Sequence, residues 1–522
     1  MKESFGSNLK AQEGPGFFSG LLVLASGVLV FAGLNTPAHL LLDDAIVMLN
    51  AKDTVQSLHS RDTSSKTSVF ASFSYDDYYH AKSTDDAKNP SLRTDVLAES
   101  PRFYGGAVIK RPHWALSPSW AVCKGFSRSS NADDVYFYRG ALNSNKVTIS
   151  GWFSSNAMIF AGSIGWNLMP VRDRASQGEG QFPNNQIASN LSREKCDYSL
   201  SIGCDFKDMF VSAYLEKTLL PVIIVSITNT VNSAVDEFNC VGQVHTAGFR
   251  ATIKRRPFFG EIEAGFSDIA SDTASSAASS RPMTFNSRVT HGKVKTELPM
   301  LKLRPCLSLS GAIAGPGMRG FDGSGGPLFF NLDHSELYGV AGSFRLMPPG
   351  KFEAGITGEL FSFRNLASGR FDPFFLSTIS LFMWDKYKID SLAFSYRSYG
   401  IFTGRKIKPL PWWQCDGFLS VSRLRISSLS NTREFDFSDI IPRLVNPQKN
   451  VFLDEDYALC IIRLANEINI GKMAISAAVQ QAVPINLKPR ATSRIHGAEP
   501  GANVKKSSRG GTRYCVGAGY GW

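Results

Sequence analysis

The sequence predicts an all-β protein. Its expected form is a transmembrane antiparallel β-barrel of roughly 16 strands, with 19 as the upper alternative, behind a small polar N-terminal region. Three observations lead there. Short runs alternate large apolar residues with small ones. The second face of these runs is built from Gly, Ser, Thr and Ala rather than Lys and Glu. The last ten residues form an aromatic strand of strict period two.

The alternation is clearest in Asp197 to Phe206, where Tyr198, Leu200, Ile202, Cys204 and Phe206 share one face. Ser199, Ser201, Gly203 and Asp205 take the other. In Ala157 to Trp166, Met158, Phe160, Ile164 and Trp166 alternate with Ala157, Ala161, Ser163 and Gly165. Cys306 to Ala314, Phe352 to Phe361 and Leu376 to Trp384 repeat the theme. Successive strand side chains point to opposite faces, so each run has one apolar and one small or polar face. A soluble β-sandwich also alternates, with its apolar face inward. The lack of Lys and Glu on the second face, and roughly sixteen to twenty candidate strands where sheets usually have about 5–6, favour the membrane barrel.

Composition fits. Hydrophobic residues make up 43% of the 522 positions and charged residues 19%. A helical membrane bundle needs an apolar excess, and a soluble domain typically carries about 25% charge. The net charge of +11 suits acidic partners or an anionic membrane surface. No basic helical stripe or nucleic-acid motif accompanies it, so no nucleic acid is expected as a partner. The 8 cysteines stand singly with no CxxC pair, which argues against zinc or dithiol chemistry. Scattered thiols suit a protein kept from a strongly oxidising compartment, which favours the mitochondrial outer membrane over a bacterial or plastid one.

The domain reading has three parts. Residues 1–38 hold a weakly apolar run, Gly16 to Leu34, that reads equally as a targeting segment, a spanning helix or a plug. Residues 39–103 are rich in Ser, Thr, Asp and Lys, with a helical stretch over Leu40 to Leu58. Residues 104–522 are the barrel. Long polar loops are expected at Val171 to Lys195, Ser267 to Arg281 and Ser427 to Asn450, and a basic one at Pro484 to Arg513.

Nothing points to an enzyme. HExxH, Walker and GxSxG motifs are absent, and the 8 histidines are isolated. No catalytic residue, metal ligand or cofactor is therefore expected. Asp322-Gly-Ser324-Gly-Gly-Pro327 superficially matches a serine-protease nucleophile segment, but an extra glycine breaks the spacing and no His partner is placed.

The preceding segment, Gly315-Pro-Gly-Met-Arg319-Gly320-Phe321, lies between two alternating runs. It resembles the (V/I)RGF motif of the BamA superfamily, which includes the mitochondrial sorting-and-assembly barrel. In that family a loop carrying the motif folds into the barrel and its Arg reaches a carboxylate on the inner wall. A guanidinium forks onto a carboxylate bidentately, so such a pair can lock the loop. The resemblance implies Arg319, Gly320 and Phe321 as the inner-loop motif, with Glu353 and Glu359 as wall carboxylates. Met473 to Pro484 resembles the family's penultimate strand. In the last strand, Cys515, Gly517, Tyr520 and Trp522 fit the spacing of the mitochondrial β-barrel sorting signal, with Cys in the polar position. The resemblance spans residues 300–522. A POTRA domain should precede the barrel, and residues 40–110 show its βααββ pattern poorly.

The resemblance implies a barrel that inserts and assembles other β-barrel proteins through a weakly paired seam between its first and last strands. Its partners would be membrane lipids, precursor β-barrel proteins and accessory subunits of an outer-membrane complex. Two alternatives stand beside it. One is a VDAC-like or protein-import channel selective through lumen charge. The other is a structural or tethering barrel.

Overall fold

The structure is a computed structural model. It describes residues 65–521 apart from 86–91, 131–135, 169–195, 207, 220–221, 230–234, 256–257, 276–282, 299–302, 315–318, 323–334, 348–351, 366–386, 437–442 and 486–502. The apolar run 16–34, the helix expected over 40–58, the run 376–384 and Trp522 lie outside the described residues.

The described chain is entirely strand and turn. The first strands are β1 (Lys66–Asp85), β2 (Leu92–Arg111), β3 (Trp114–Ser130), β4 (Tyr136–Ser155) and β5 (Met158–Asn167). They are followed by β6 (Cys196–Phe206), β7 (Met209–Leu219), β8 (Val222–Asn229), β9 (Val235–Arg255) and β10 (Phe258–Ser275). Next come β11 (Met283–Glu297), β12 (Cys306–Ala314), β13 (Arg319–Asp322), β14 (Ser335–Leu346) and β15 (Phe352–Asn365). The last are β16 (Tyr387–Leu410), β17 (Trp413–Asp436), β18 (Arg443–Ile470), β19 (Met473–Ile485) and β20 (Asn503–Gly521).

All pairings are antiparallel, and β20 pairs back onto β1, so the sheet closes. Two of the 20 segments are not separate staves. β8 bridges β4 and β9 above β5–β7. β13 continues the line of β12 along β11, from Val289 opposite Ala314 to Asn286 opposite Arg319. Removing these two leaves a closed barrel of 18 strands. This corrects both expected counts. An even number joined antiparallel brings the start of β1 and the end of β20 to the same rim, with Ser68 opposite Gly521.

That rim also holds the tight turns Pro112-His113, Asn156-Ala157, Pro411-Trp412 and Gly471-Lys472. Asn156 (φ 54°) and Gly471 (φ 60°) take the left-handed conformation that begins such turns, and Asn and Gly tolerate it. The longest connections lie at the other rim, while the eight residues between Glu297 and Cys306 join β11 to β12 at this one. Short turns at one end and long loops at the other are the asymmetry of single-chain outer-membrane barrels.

Two expected boundaries move. The barrel begins at Lys66, not at 104, because β1 and β2 are full staves of 20 residues each. Their Ser- and Asp-rich upper halves hide the alternation of Val69, Ala71 and Phe73. The loops expected at Ser267 to Arg281 and Ser427 to Asn450 are largely strand. β10 runs on to Ser275, and β17 and β18 extend the wall to 24 and 28 residues.

The packing is inside-out relative to a soluble sandwich. Large apolar side chains are exposed on the outer wall, as with Ile164 (64%), Leu200 (58%), Ile401 (63%) and Val516 (54%). The buried set on the inner side is largely polar, including Ser117, Ser150, Ser163, Ser420 and Ser422. Staves such as β5 have 10 residues. Tilted as in known barrels, these give a belt about 25 Å tall. Outward aromatics border it on both sides, with Trp114, Phe258, Phe352 and Tyr520 near the turn rim and Trp166, Phe266 and Tyr399 toward the loops.

Candidate functional site: the polar lumen

The lumen wall is a set of polar side chains held flat by gaps in the neighbouring staves. Lys146 on β4 and Asp197 on β6 form a buried ion pair, each side chain 7% exposed, although β5 lies between them. Gly165 makes the crossing possible. A Cβ there would sit 2.3 Å from Lys146 Cε and 2.4 Å from Asp197 Oδ1. The inner-face glycine that alternation marks only as small is the slot through which two staves are tied across a third.

The same device recurs on β7–β11. Arg250 on β9 donates through Nη2 to Glu263 Oε2 on β10 at 2.6 Å, and its Nε lies 3.6 Å from Glu261 Oε1. Tyr214 on β7 crosses β9 above Gly248 and donates to Glu263 Oε1 at 2.8 Å. His291 Nε2 on β11 lies 3.4 Å from the same hydroxyl. A Cβ on Gly248 would stand 2.7 Å from that hydroxyl and 2.6 Å from the Ala264 carbonyl oxygen. Gly248→Val is therefore expected to eject Tyr214 from Glu263 and cost about 2–3 kcal/mol. Urea unfolding of the refolded barrel, with Tyr214→Phe as the reference, measures it. A Val variant as stable as wild type would show that the crossing contributes nothing.

Further round, Arg463 on β18 reaches Asp416 at 3.6 Å and lies over the Phe418 ring at 5.3 Å. The arc from β20 through β4 carries the buried cations Arg513, Arg102, Lys110 and Lys146. Inner-face acids stand on β6, β7, β10, β15 and β17, at Asp197, Glu216, Glu261, Glu263, Glu353, Glu359 and Asp416. Arg250, Arg345, Lys293 and Lys295 are interspersed among them.

The residues singled out from sequence are placed as follows. Arg319, Gly320 and Phe321 lie in β13, their backbone paired with Asn286, Phe285 and Thr284 of β11. Glu353 and Glu359 both lie on the inner face of β15. Glu353 pairs with Arg345 at 3.4 Å, and Glu359 stands opposite Ala341 and Ser398. The register does not bring Arg319 to either. It lies seven register steps along β11 beyond the level of Ser310, which opposes Ala341, or roughly 20 Å along the wall. Tyr520 is on the outer face of β20, and Cys515 and Gly517 alternate with it on the inner face. Sequence reading missed the Lys146–Asp197 and Arg250–Glu263 ties. Their only signal was a charged residue amid small ones on an otherwise alternating stave.

Among the described residues no group of three or more His, Cys, Asp or Glu side chains forms a metal cluster. No helix there is long and apolar enough to cross a membrane.

A closed antiparallel wall with an apolar belt outside and a polar lumen inside defines a transmembrane β-barrel. No known family matches the sequence, and no curated protein matches it. Solved structures resemble the chain only distantly. CdiB from Acinetobacter baumannii is 9% identical with a TM-score of 0.30, over 87% of this chain and 60% of its own. This chain thus spans about three fifths of CdiB. OccK7 (OpdD) from Pseudomonas aeruginosa is 9% identical with a TM-score of 0.34, over 88% of this chain and 99% of its own. The copper transporter OprC is 10% identical with a TM-score of 0.38, over 89% and 81%. Likeness at this level does not rank one function over another.

Proposed function

We propose that this chain is an outer-membrane β-barrel whose polar lumen conducts hydrophilic solutes. Strand number is the observation that carries the reading. Barrels of about 16–18 strands leave an aqueous channel, whereas about 8 strands are filled by their own side chains. The cationic arc of Arg513, Arg102 and Lys110 would give the lumen a preference for anions, because charge rings lining a pore set its selectivity. The test is conductance of the purified chain in a planar bilayer. Discrete anion-selective steps are expected, and Arg102→Gln with Lys110→Gln should move the reversal potential toward cations. A protein that inserts and never conducts would end the channel reading and leave an assembly factor or a tethering barrel.

A second reading is an assembly factor for other outer-membrane barrels, in mitochondria by the scattered thiols or in bacteria by the even strand number and short-turn rim. It draws on the Arg319-Gly320-Phe321 segment and the aromatic last strand. Against it stands the seam. β1 and β20 share 18 register partners with one shift at Tyr79/His80, not the weak pairing that a lateral gate needs. Depleting the protein and following maturation of a different barrel decides. Prompt failure of that barrel would restore the assembly reading, and normal maturation would remove it.

A further inference from the structure

We infer that the inner wall at β18–β19 holds an oxoanion-binding site, made by Arg463 and Gln480, for the phosphate or carboxylate group of a solute in the lumen. The inference rests on the channel reading above and names the chemical class that the channel would hold. Register brings the two side chains together. Arg463 on β18 stands directly opposite Gln480 on β19, and directly opposed residues hold their Cβ atoms about 5 Å apart. Both face inward, because their chain neighbours Ile462, Leu464 and Val479 are exposed on the outer wall and successive strand side chains alternate.

The pair is marked by donors that lack acceptors. Gln480 is 4% exposed, and its Nε2 is buried with no hydrogen-bond partner among the described residues. The Nε of Arg463 is buried and lacks a partner in the same way. Leaving a buried donor unmet costs more than an ordinary hydrogen bond returns. Such groups are few in native proteins, and an absent ion is one of their explanations.

Among the described residues one carboxylate approaches Arg463. Asp416 on β17 lies 3.6 Å from Nη2, beyond the length of a charge-assisted hydrogen bond. It leaves Nε and the Gln480 amide unmet. The Phe418 ring, 5.3 Å from the guanidinium carbon, steadies the plane of the group. Arg513 on β20 flanks Gln480 on the other side. It has contacts of its own in the wall, and the site does not need it.

The donor set selects the ligand. One donor sits on a permanent cation and the other on a neutral amide of the next stave. Two oxygens of a single phosphate or carboxylate answer both. A halide offers one centre, and water brings no charge. The Arg463 side chain is 31% exposed, so the lumen reaches its outer end. An arriving oxoanion draws that end off its loose contact with Asp416 and opens the amide behind it.

The test uses the full chain refolded in detergent micelles, with inorganic phosphate as the probe and chloride at equal ionic strength as the control. Phosphate should raise the unfolding midpoint, because a ligand held only by the folded state stabilises it, and chloride should not. Gln480→Leu separates a binding role from a structural one. Its phosphate-free midpoint should match or exceed wild type, since an unmet donor is removed. Its phosphate affinity should fall roughly tenfold or more, the worth of one hydrogen bond to a charged group. Gln480→Glu should abolish the phosphate response, because the wall then supplies Arg463 with a carboxylate of its own. A Leu variant with wild-type affinity overturns the site. So does a Leu variant less stable than wild type without phosphate, because the amide would then be serving the wall. Bilayer conductance of the same preparations keeps the two readings apart. A wild-type protein that conducts without the phosphate response refutes only this site. One that shows the response and never conducts refutes the channel and leaves the site in a closed lumen.

Discussion

Leu200→Arg is expected to destabilise the barrel in a bilayer by about 2–4 kcal/mol, the cost of a cation facing lipid at mid-depth. Leu200 lies at the middle of β6, on a stave of 11 residues, and is 58% exposed. It faces outward between Gly162 and Leu215 on the flanking staves. In a soluble protein an exposed leucine tolerates such a change within about 0.5 kcal/mol. The substitution therefore measures the solvent around the wall. Refolding into phospholipid vesicles against a urea titration gives the value, with Leu200→Phe as a neutral reference. A shift below about 0.5 kcal/mol would place water, not acyl chains, against this face.

Asp197→Ala should cost about 3–5 kcal/mol, because it leaves Lys146 buried without the carboxylate that now neutralises it. The double variant Asp197→Leu with Lys146→Met should recover most of that loss, since well-packed apolar residues often replace a buried pair at little net cost. The cycle can be read from unfolding midpoints in denaturant. The β5 slot makes the recovery specific. Gly165 gives the two side chains their path, and Met and Leu are flexible enough to use it. A single variant as stable as wild type would mean that water in the lumen already screens the pair.

Much of the wall could be read from the amino-acid order alone, but only within the belt. Period two arises where one face meets lipid and the other does not, so β5, β6, β12, β15, β19 and β20 announced themselves. Above the belt both faces are wet, and the pattern fades although the backbone continues. That is why the upper halves of β1 and β2 looked like a polar domain, and why Ser427 to Asn450 looked like a loop. The lumen ties were hidden for another reason. Lys146 and Asp197 are 51 residues apart and meet across a stave that belongs to neither. Nothing local distinguishes Gly165 from the glycines that merely fill the pleat.

The seam has a consequence for how the chain acquires its shape. Val69 pairs with Tyr520, a contact spanning almost the whole chain and the most distant in sequence of any ladder in the sheet. Loop-closure entropy must be met before so remote a pairing returns anything, and non-local pairings slow folding. The other staves are each hydrogen-bonded to a near neighbour and can assemble as a growing ribbon of hairpins. Until the ribbon closes, β1 and β20 are both free edges, and free edges recruit other strands. The vulnerable species in this protein's life is thus the nearly finished ribbon. Kinetic trapping should concentrate at the final step, when the first stave of the wall meets the last.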